Sequence, residues 1–261
     1  MATHADWLAL VELSGLVVSE PVLETHFPGG PKSVNQGTHN WFRRYAERFL
    51  VSQDKSDPKA KRQGAVDWVN YLSRWLLELP EDHWKKSNEV PAELCVYLDE
   101  FDQALRPGRV LYRNGSPQLL VDIVAPGQHL DRRETASGRW KASPTTKMDR
   151  LLRDTGNPVG LITNGHAFRL VHARQGINTG HITWTSRLLM EEKSSLDAFY
   201  TLLGRDLLLP KTDDTPTLAD LCKSSIDRQG DVADQLGEQV RNGLERLIWA
   251  WDAADRDAGG E

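Results

Sequence analysis

Two Asn-Gly pairs in the middle of the chain, Asn114-Gly115 and Asn164-Gly165, constrain its fold more than any other feature. Each pair separates two apolar segments of strand length. Asn-Gly is a strong signal for a β-hairpin, because both residues tolerate the positive φ angles of a type I′ turn. The sequence therefore predicts two hairpins, with strands at Val110–Arg113, Leu119–Val124, Val159–Thr163 and Ala167–His172.

A helix is predicted between the two hairpins, over Pro144–Gly156. Ser143 is suited to cap its first turn, and proline is common at a first helical position. One further strand is predicted after the second hairpin, at His181–Trp184. A hairpin, a helix and a β-meander in this order indicate the α/β (α+β) class, with a mixed sheet flanked by helices.

The segments before and after this region have the apolar spacing of helices. Helices are predicted from Trp7 to Leu13, from Thr38 to Val51 and from Ala65 to Leu79, the last with Trp75 in its buried stripe. From residue 194 onward the chain is predicted to be helical, with a long amphipathic helix that contains Val232, Leu236, Val240, Leu244, Leu247, Ile248 and Trp251.

These changes of character divide the chain into three predicted parts. Residues 1–90 form a helical N-terminal part packed on the core, residues 91–190 form the core itself, and residues 191–261 form a C-terminal helical segment. A chain of 261 residues is long enough to bury one core and a helical extension.

Charge is distributed unevenly along the chain. The net charge of −5 argues against a simple nucleic-acid coat. Residues 128–174, however, carry many cations and few acids, which permits a local basic face on an acidic chain or, equally, an ordinary solvated surface. The cations of this segment are Arg132, Arg133, Arg139, Lys141, Lys147, Arg150, Arg153, Arg169 and Arg174.

Several other classes of protein are disfavoured. No apolar segment approaches the roughly 18–20 residues of a membrane span, and the first residues lack the pattern of a secretion signal. Cys95 and Cys222 stand far apart, so neither a disulfide framework nor a zinc site is indicated. Phosphate-binding and S-adenosylmethionine-binding glycine motifs are missing. We therefore expect a cytoplasmic chain that has no cofactor and does not bind a membrane.

The middle region resembles the restriction-endonuclease-like fold, the PD-(D/E)XK family. That family carries Pro-Asp on one strand and Glu-x-Lys on the next, followed by a helix and a strand that ends in Thr-Asn-Gly. Here Arg106–Tyr112 occupies the first strand, Leu119–Val124 occupies the second, and Ile162-Thr163-Asn164-Gly165 supplies the last motif.

The chain resembles more closely the N-terminal module of type I restriction subunits and of type IIG-like and DISARM-type phage-defence DNA methyltransferases. The likeness includes Trp7–Phe27, Leu130-Asp131, Trp140–Pro144 and the segment from Leu202-Leu203 to Gln239-Val240. It implies a module of a bacterial restriction-modification or phage-defence protein. Its partners would then be double-stranded DNA and a methyltransferase domain or other defence subunits.

The residues that cut DNA in such nucleases are missing at the matching positions. A nuclease of this kind holds a divalent cation between two carboxylates, and a lysine helps to activate the attacking water. Gly108 stands where the first Asp belongs, Asp122 where the Asp or Glu belongs, and Val124 where the Lys belongs. The resemblance thus implies a degenerate site that holds no metal, with Asp122 as its remnant, in a chain that is not an enzyme by itself.

Two alternatives for this site remain open. Asp122 is equally compatible with a polar residue near a strand end that pairs with an arginine. A migrated acid or lysine would instead restore a Mg²⁺-dependent DNA endonuclease with a rearranged site, and the candidates are Asp99, Glu100, Asp102, Lys141 and Lys147.

Two further roles are compatible with a degenerate nuclease fold. The acidic tail helix could attach a methyltransferase or helicase partner through its apolar stripe. The basic segment could bind DNA phosphates. The expected nucleic-acid-binding residues are Arg132, Arg133, Arg139 and Lys141 in the loop after the second strand, and Lys147, Arg150 and Arg153 on or beside the following helix.

Overall fold

The computed structural model describes residues 3–53, 57–134 and 139–230, together with Arg241 and Leu244. The chain divides into two units, Met1–Cys222 and Lys223–Glu261. The predicted tail helix therefore lies outside the described residues except for Arg241 and Leu244. Residues 218–230 are helical, within the part of the chain predicted to be helical from residue 194 onward.

The first unit contains nine strands among its described residues. Seven of them form one sheet in the order β1-β9-β8-β7-β6-β5-β2, and β3 and β4 form a separate pair. The strands are β1 (Glu12–Ser14), β2 (Trp84–Lys86), β3 (Val96–Leu98), β4 (Gln103–Leu105), β5 (Arg109–Arg113), β6 (Ser116–Ile123), β7 (Val159–Thr163), β8 (Ala167–His172) and β9 (Gly180–Thr185).

Helices precede, interrupt and follow these strands. A π-helical turn, Leu72–Leu76, directly follows α4. Besides the helix over residues 218–230, the α-helices among the described residues are α1 (His4–Leu8), α2 (Glu20–His26), α3 (Gln36–Gln53), α4 (Pro58–Tyr71), α5 (Pro144–Thr155), α6 (Ser186–Glu191), α7 (Lys193–Leu203) and α8 (Arg205–Leu208).

The β6–β7 pair is parallel and the other pairs of the sheet are antiparallel. A parallel pair needs a crossover, and α5 supplies it. The mixed sheet flanked by helices confirms the predicted α/β (α+β) class.

Local signals account for the central elements. Asn114 and Gly115 have φ angles of 49° and 80°, as a two-residue turn between β5 and β6 requires. The Ser143 hydroxyl accepts a hydrogen bond from Thr146 N at 3.1 Å and so caps α5. Gly156 ends α5 in the left-handed conformation.

The sheet separates two apolar layers. Because side chains alternate along a strand, Leu119 and Val121 of β6 face the layer formed by α3, α4 and α7, whereas Leu120 faces the layer with α5. Asp122 follows the same alternation as Leu120 and therefore faces α5.

Both edges of the sheet differ from the predicted elements. The first helix ends at Leu8, and Glu12–Ser14 pairs with β9 as an edge strand. The helix predicted as far as Leu13 was wrong over these residues, because pairing with a distant strand outweighs local apolar spacing. β2 forms the opposite edge by pairing with β5. The sheet thus includes strands from residues 1–90, and the predicted division at residues 90 and 190 stays a prediction.

The third predicted helix also differs. The buried residues of the π-helical turn are Leu72, Ser73 and Leu76, whereas Trp75 is 62% exposed. A π-turn contains one more residue than an α-helical turn. Side chains within the turn are therefore rotated around the axis relative to their α-helical positions, and Trp75 leaves the buried stripe in which it was predicted.

Within the described part of the chain, no helix combines the length and apolar character needed to cross a membrane.

Candidate functional site

Gly108 immediately precedes β5 and lies beside Asp122 of β6. A Cβ atom added to Gly108 would lie 3.2 Å from Asp122 Oδ1. The two positions that would carry the first acid and the second acid of the nuclease motif are therefore neighbours across the β5–β6 pair.

Lys147 and Glu134 share the electrostatic environment of Asp122. Lys147 Nζ donates to Glu134 Oε2 at 2.5 Å, and these side chains are only 17% and 21% exposed. Burial and the Glu134 carboxylate raise the pKa of Asp122, whereas the Ile123 backbone N–H, Lys147 and Arg62 act in the opposite direction and do not cancel the rise. The Lys147–Glu134 ion pair is therefore close enough for its charges to act on Asp122, and this lysine comes from α5 rather than from β6.

Val124 cannot replace this lysine. Its side chain is buried with the apolar residues beneath α5. Its backbone N–H donates to Thr163 O at 2.8 Å and extends the contact between β6 and β7. Among the described residues, no group of three or more His, Cys, Asp or Glu side chains is arranged to hold a metal ion. The acids discussed here, Asp122 and Glu134, number only two.

The Thr-Asn-Gly motif after β7 shapes the turn beside this cluster. Asn164 Oδ1 accepts from His166 N at 2.9 Å and from Ala167 N at 2.8 Å, and its Nδ2 donates to Gln128 O at 2.9 Å. Gly165 has a φ of 86°, and a Cβ there would lie 2.5 Å from Phe49 Cζ. The motif therefore connects the loop after β6 with α3.

The buried Arg169 side chain lies on the same face of the sheet as Asp122 and bonds to several elements. It is 2% exposed and donates to Thr183 Oγ1 at 2.8 Å, Thr145 Oγ1 at 2.9 Å and Glu12 Oε1 at 3.1 Å. It also forms an ion pair with Asp131. Burial acts to raise the pKa of Asp131, but the Arg169 guanidinium outweighs it and lowers the pKa. Arg169 is thus fully engaged inside the protein, a role that its place in the basic segment did not indicate.

The seven predicted DNA-binding cations fall into three groups. Arg132, Arg133 and Lys141 are exposed in the loop after β6, and none of them forms an ion pair with a described residue. Lys147 belongs to the Asp122 cluster. The remaining three are paired: Arg139 with Asp102, Arg150 with Asp154, and Arg153 with Asp149.

Arg153 is the least available of the paired cations. Its Nη2 atom donates to Ile177 O at 2.8 Å and to Thr179 Oγ1 at 2.7 Å, so it fastens the loop between β8 and β9 to α5. Arg132, Arg133 and Lys141 are therefore the predicted residues that are able to contact phosphates without first breaking an ion pair to another described residue.

A second group of cations lies on α3, α4 and the π-helical turn. These elements carry seven Lys and Arg against two acids, Glu47 and Asp67. Within the described ranges, only Arg74 among the seven is in an ion pair, at 3.7 Å from Glu81. A charge count by predicted helix would have found this group, which comprises Arg43, Arg44, Arg48, Lys59, Lys61, Arg62 and Arg74.

Comparison with known proteins gave no relative: no family model, no curated protein and no solved structure matches the chain.

Proposed function

We propose that this chain is a module of a bacterial restriction-modification or phage-defence protein and that it binds double-stranded DNA through a degenerate nuclease site. The observation that carries the proposal is the loop after β6. It presents Arg132, Arg133 and Lys141 in solvent, without ion pairs to described residues, on a chain with a net charge of −5. Side chains of this kind bind phosphates and release counterions, whatever the base sequence.

The salt dependence of duplex binding tests this role. Changing Arg132, Arg133 and Lys141 together to alanine should weaken binding and reduce the slope of log K against log salt by roughly 2–3, because each lost phosphate contact contributes about 0.9. Fluorescence anisotropy with a labelled duplex measures both quantities.

The matched control changes Arg187, Arg205 and Lys211 to alanine. These exposed cations lie on α6, α8 and the turn that follows, so the control removes the same charge elsewhere. Equal slopes for the two triple variants would contradict the proposal, as would the absence of duplex binding by the unmodified chain.

An assembly role accompanies DNA binding in this proposal. Residues 231–261 would attach a methyltransferase domain or another defence subunit through the predicted apolar stripe. Deleting residues 231–261 should abolish co-purification with a co-expressed methyltransferase and leave duplex affinity unchanged. Retained co-purification would remove this part of the proposal.

A second candidate is a Mg²⁺-dependent DNA endonuclease with a rearranged site. The observation in its favour is the half-buried Lys147–Glu134 ion pair, whose charges act on the neighbouring Asp122. Mg²⁺ is commonly bound by one or two carboxylates and several waters, so Asp122 and Glu134 fit its preference. When bound, the cation would polarise a phosphate and acidify a water, while Lys147 would hold phosphate charge.

Plasmid cleavage separates the two candidates. The assay measures the conversion of supercoiled plasmid to nicked or linear forms in the presence of Mg²⁺ or Mn²⁺. Cleavage that is lost in Asp122→Ala and in Lys147→Ala, but kept in Asp102→Ala, would establish the endonuclease. An intact plasmid under conditions of full duplex binding would leave the degenerate site as the better account.

A further inference from the structure

A column of nearly parallel aromatic rings crosses the helical layer formed by α3 and α4. Phe49 and Trp68 have centroids 5.8 Å apart and planes 10° apart, and Trp68 and Tyr71 follow at 6.0 Å and 9°. Tyr71 and Tyr45 stack at 3.7 Å and 15°. The column begins at the Thr-Asn-Gly turn, where Phe49 lies 5.0 Å from His166.

Two adjoining cavities open along this column. One has a volume of about 490 Å³ and is lined by Arg48, Phe49, Trp68 and other residues of α3 and α4. The other has a volume of about 360 Å³ and is lined by Thr38, Trp41, Tyr45, Tyr71 and Trp75. Tyr45 and Tyr71 line both cavities, so we treat them as one aromatic cleft.

The outer end of the aromatic cleft exposes two large indole rings. Trp41 is 56% exposed and Trp75 is 62% exposed. Exposed tryptophan pairs are uncommon on surfaces that bind nothing. The π-helical turn brings Trp75 to the surface, and π-turns of this kind occur frequently at functional sites.

Positive charge surrounds the aromatic cleft. The guanidinium of Arg44 lies 5.9 Å from the Trp41 ring centre, and that of Arg74 lies 5.3 Å from the Trp75 ring centre. Arg48 lines the inner cavity. These arginines belong to the group of seven cations and two acids on α3, α4 and the π-helical turn.

We propose that the aromatic cleft binds single-stranded DNA, with unpaired bases stacked on Trp41 and Trp75 and with the backbone phosphates near Arg44, Arg48 and Arg74. Aromatic faces beside cations are what unpaired nucleic acid requires. Among the described residues Arg44 and Arg48 form no ion pair, and Arg74 has only a pair of 3.7 Å with the exposed Glu81. A duplex does not offer its base faces for stacking, and an acidic peptide would use the charges but not the exposed indole faces of Trp41 and Trp75. This site goes beyond the proposed duplex surface, because its contacts come from α3 and the π-helical turn rather than from the loop after β6.

Substitution of both exposed tryptophans tests the proposal without changing the charge. The full chain, as Trp41→Ala/Trp75→Ala, should bind a labelled oligothymidylate of roughly 15 nucleotides at least about fivefold more weakly, the lower limit for one lost base stack. Its affinity for a duplex of the same length should change less than twofold. Quenching of the intrinsic tryptophan fluorescence by the single strand should also decrease.

The controls separate stacking from charge and from misfolding. An abasic oligonucleotide with the same number of phosphates should bind the unmodified chain about as weakly as oligothymidylate binds the double variant. Trp41→Phe/Trp75→Phe should restore most of the affinity, because a phenyl ring still stacks. Tyr97→Ala, which removes a 56% exposed ring from β3, should have no effect.

Three results would overturn the proposal. The double alanine variant could bind the single strand as tightly as the unmodified chain, or the abasic strand could bind as tightly as oligothymidylate. The third result is that the two alanine substitutions weaken the binding of an oligoglutamate peptide but not the binding of oligothymidylate. Loss of duplex binding in the Arg132, Arg133 and Lys141 variant is a separate outcome and leaves this test intact.

Discussion

At the scale of single residues, Asp122 is held where its charge is disfavoured. Burial beneath α5 and the nearby Glu134 carboxylate raise its pKa. A structural carboxylate would normally be paired, and the described residues form no ion pair with Asp122. A residue whose charged form destabilises the fold in this way is typical of a functional site.

Asp122→Asn should therefore stabilise the fold at neutral pH. Because the pKa of Asp122 is raised in the folded chain, its protonated carboxyl contributes stability at pH values below 3.8, the pKa of this group in the unfolded chain. This contribution is lost as the pH rises through the pKa of the folded chain. The amide avoids that loss, so we expect a gain of about 1 kcal/mol and a melting temperature roughly 2–4 °C higher at pH 7. Differential scanning calorimetry measures the change.

The gain should disappear as the pH approaches 3.8, the unfolded value for this group. Asp213→Asn, in a side chain that is 85% exposed, is the matched control and should change the melting temperature little. A destabilised Asp122→Asn variant would show that the carboxylate makes a favourable structural contact instead.

Arg169 should contribute more to stability than any exposed ion pair. Arg169→Met removes hydrogen bonds that hold β8, β9, β1 and the first turn of α5 together, and it leaves Thr183 Oγ1 without this donor. We expect a loss of about 2–3 kcal/mol in denaturant unfolding. Arg187→Met, in an exposed pair with Glu191, should cost below about 0.5 kcal/mol.

Arg169→Lys should recover only part of this loss, because an ammonium group cannot reproduce the planar fork of donors. Equal stability of the lysine variant and the unmodified protein would show that charge alone matters at this position.

The candidate site could be predicted from the sequence only where it follows local motifs. Asp122 and its neighbour Gly108 were predictable from a strand pair around Asn114-Gly115. Lys147 was one of several open candidates, and Glu134 was not identified, because their approach to Asp122 depends on how α5 and the loop after β6 pack on the sheet.

At the scale of elements, α5 positions Lys147, and its first turn depends on Ser143. Ser143→Ala removes the hydrogen bond to Thr146 N and should cost about 1 kcal/mol in denaturant unfolding. Ser143→Thr keeps a hydroxyl that caps and should retain most of the stability. Equal losses in the two variants would point to packing around residue 143 as the cause.

The predictable elements are those whose signals lie within a few residues. The hairpins and α5 have turn and capping residues at their ends, so their types and approximate bounds were predictable. The edge strands β1 and β2 have three residues each and owe their form to partners far away in the chain. The π-helical turn has no comparable local signal, and the exposure of Trp75 was therefore missed.

At the scale of the whole molecule, acidity should weaken the fold through its histidines. Burial is the largest cause of a lowered pKa at His39, His166, His172 and His181. A lowered histidine pKa means that the unfolded chain binds protons more readily than the folded chain. The free energy of unfolding should therefore decrease as the pH falls below about 6.5.

Urea titrations between pH 7.5 and 5 measure this decrease at intervals of roughly half a pH unit. His172, which is 1% exposed, should account for part of it, so His172→Gln should flatten the dependence on pH. His129→Gln, at an exposed position, is the control. Because the raised pKa of Asp122 acts in the opposite direction, the titrations use the Asp122→Asn variant as the background. A stability that increases towards pH 5 in that background would contradict the predicted direction.

The pairing of β1 with β9 joins Glu12 to Thr183, two residues that are separated by most of the sequence of the first unit. Contacts between such distant positions form late, because a long loop must close before they bring any gain. During synthesis on a ribosome, the opening segment has no strand to pair with until residue 185 has emerged. Closure of this edge, to which Arg169 contributes through Glu12, would then be a late event in the maturation of the nascent chain.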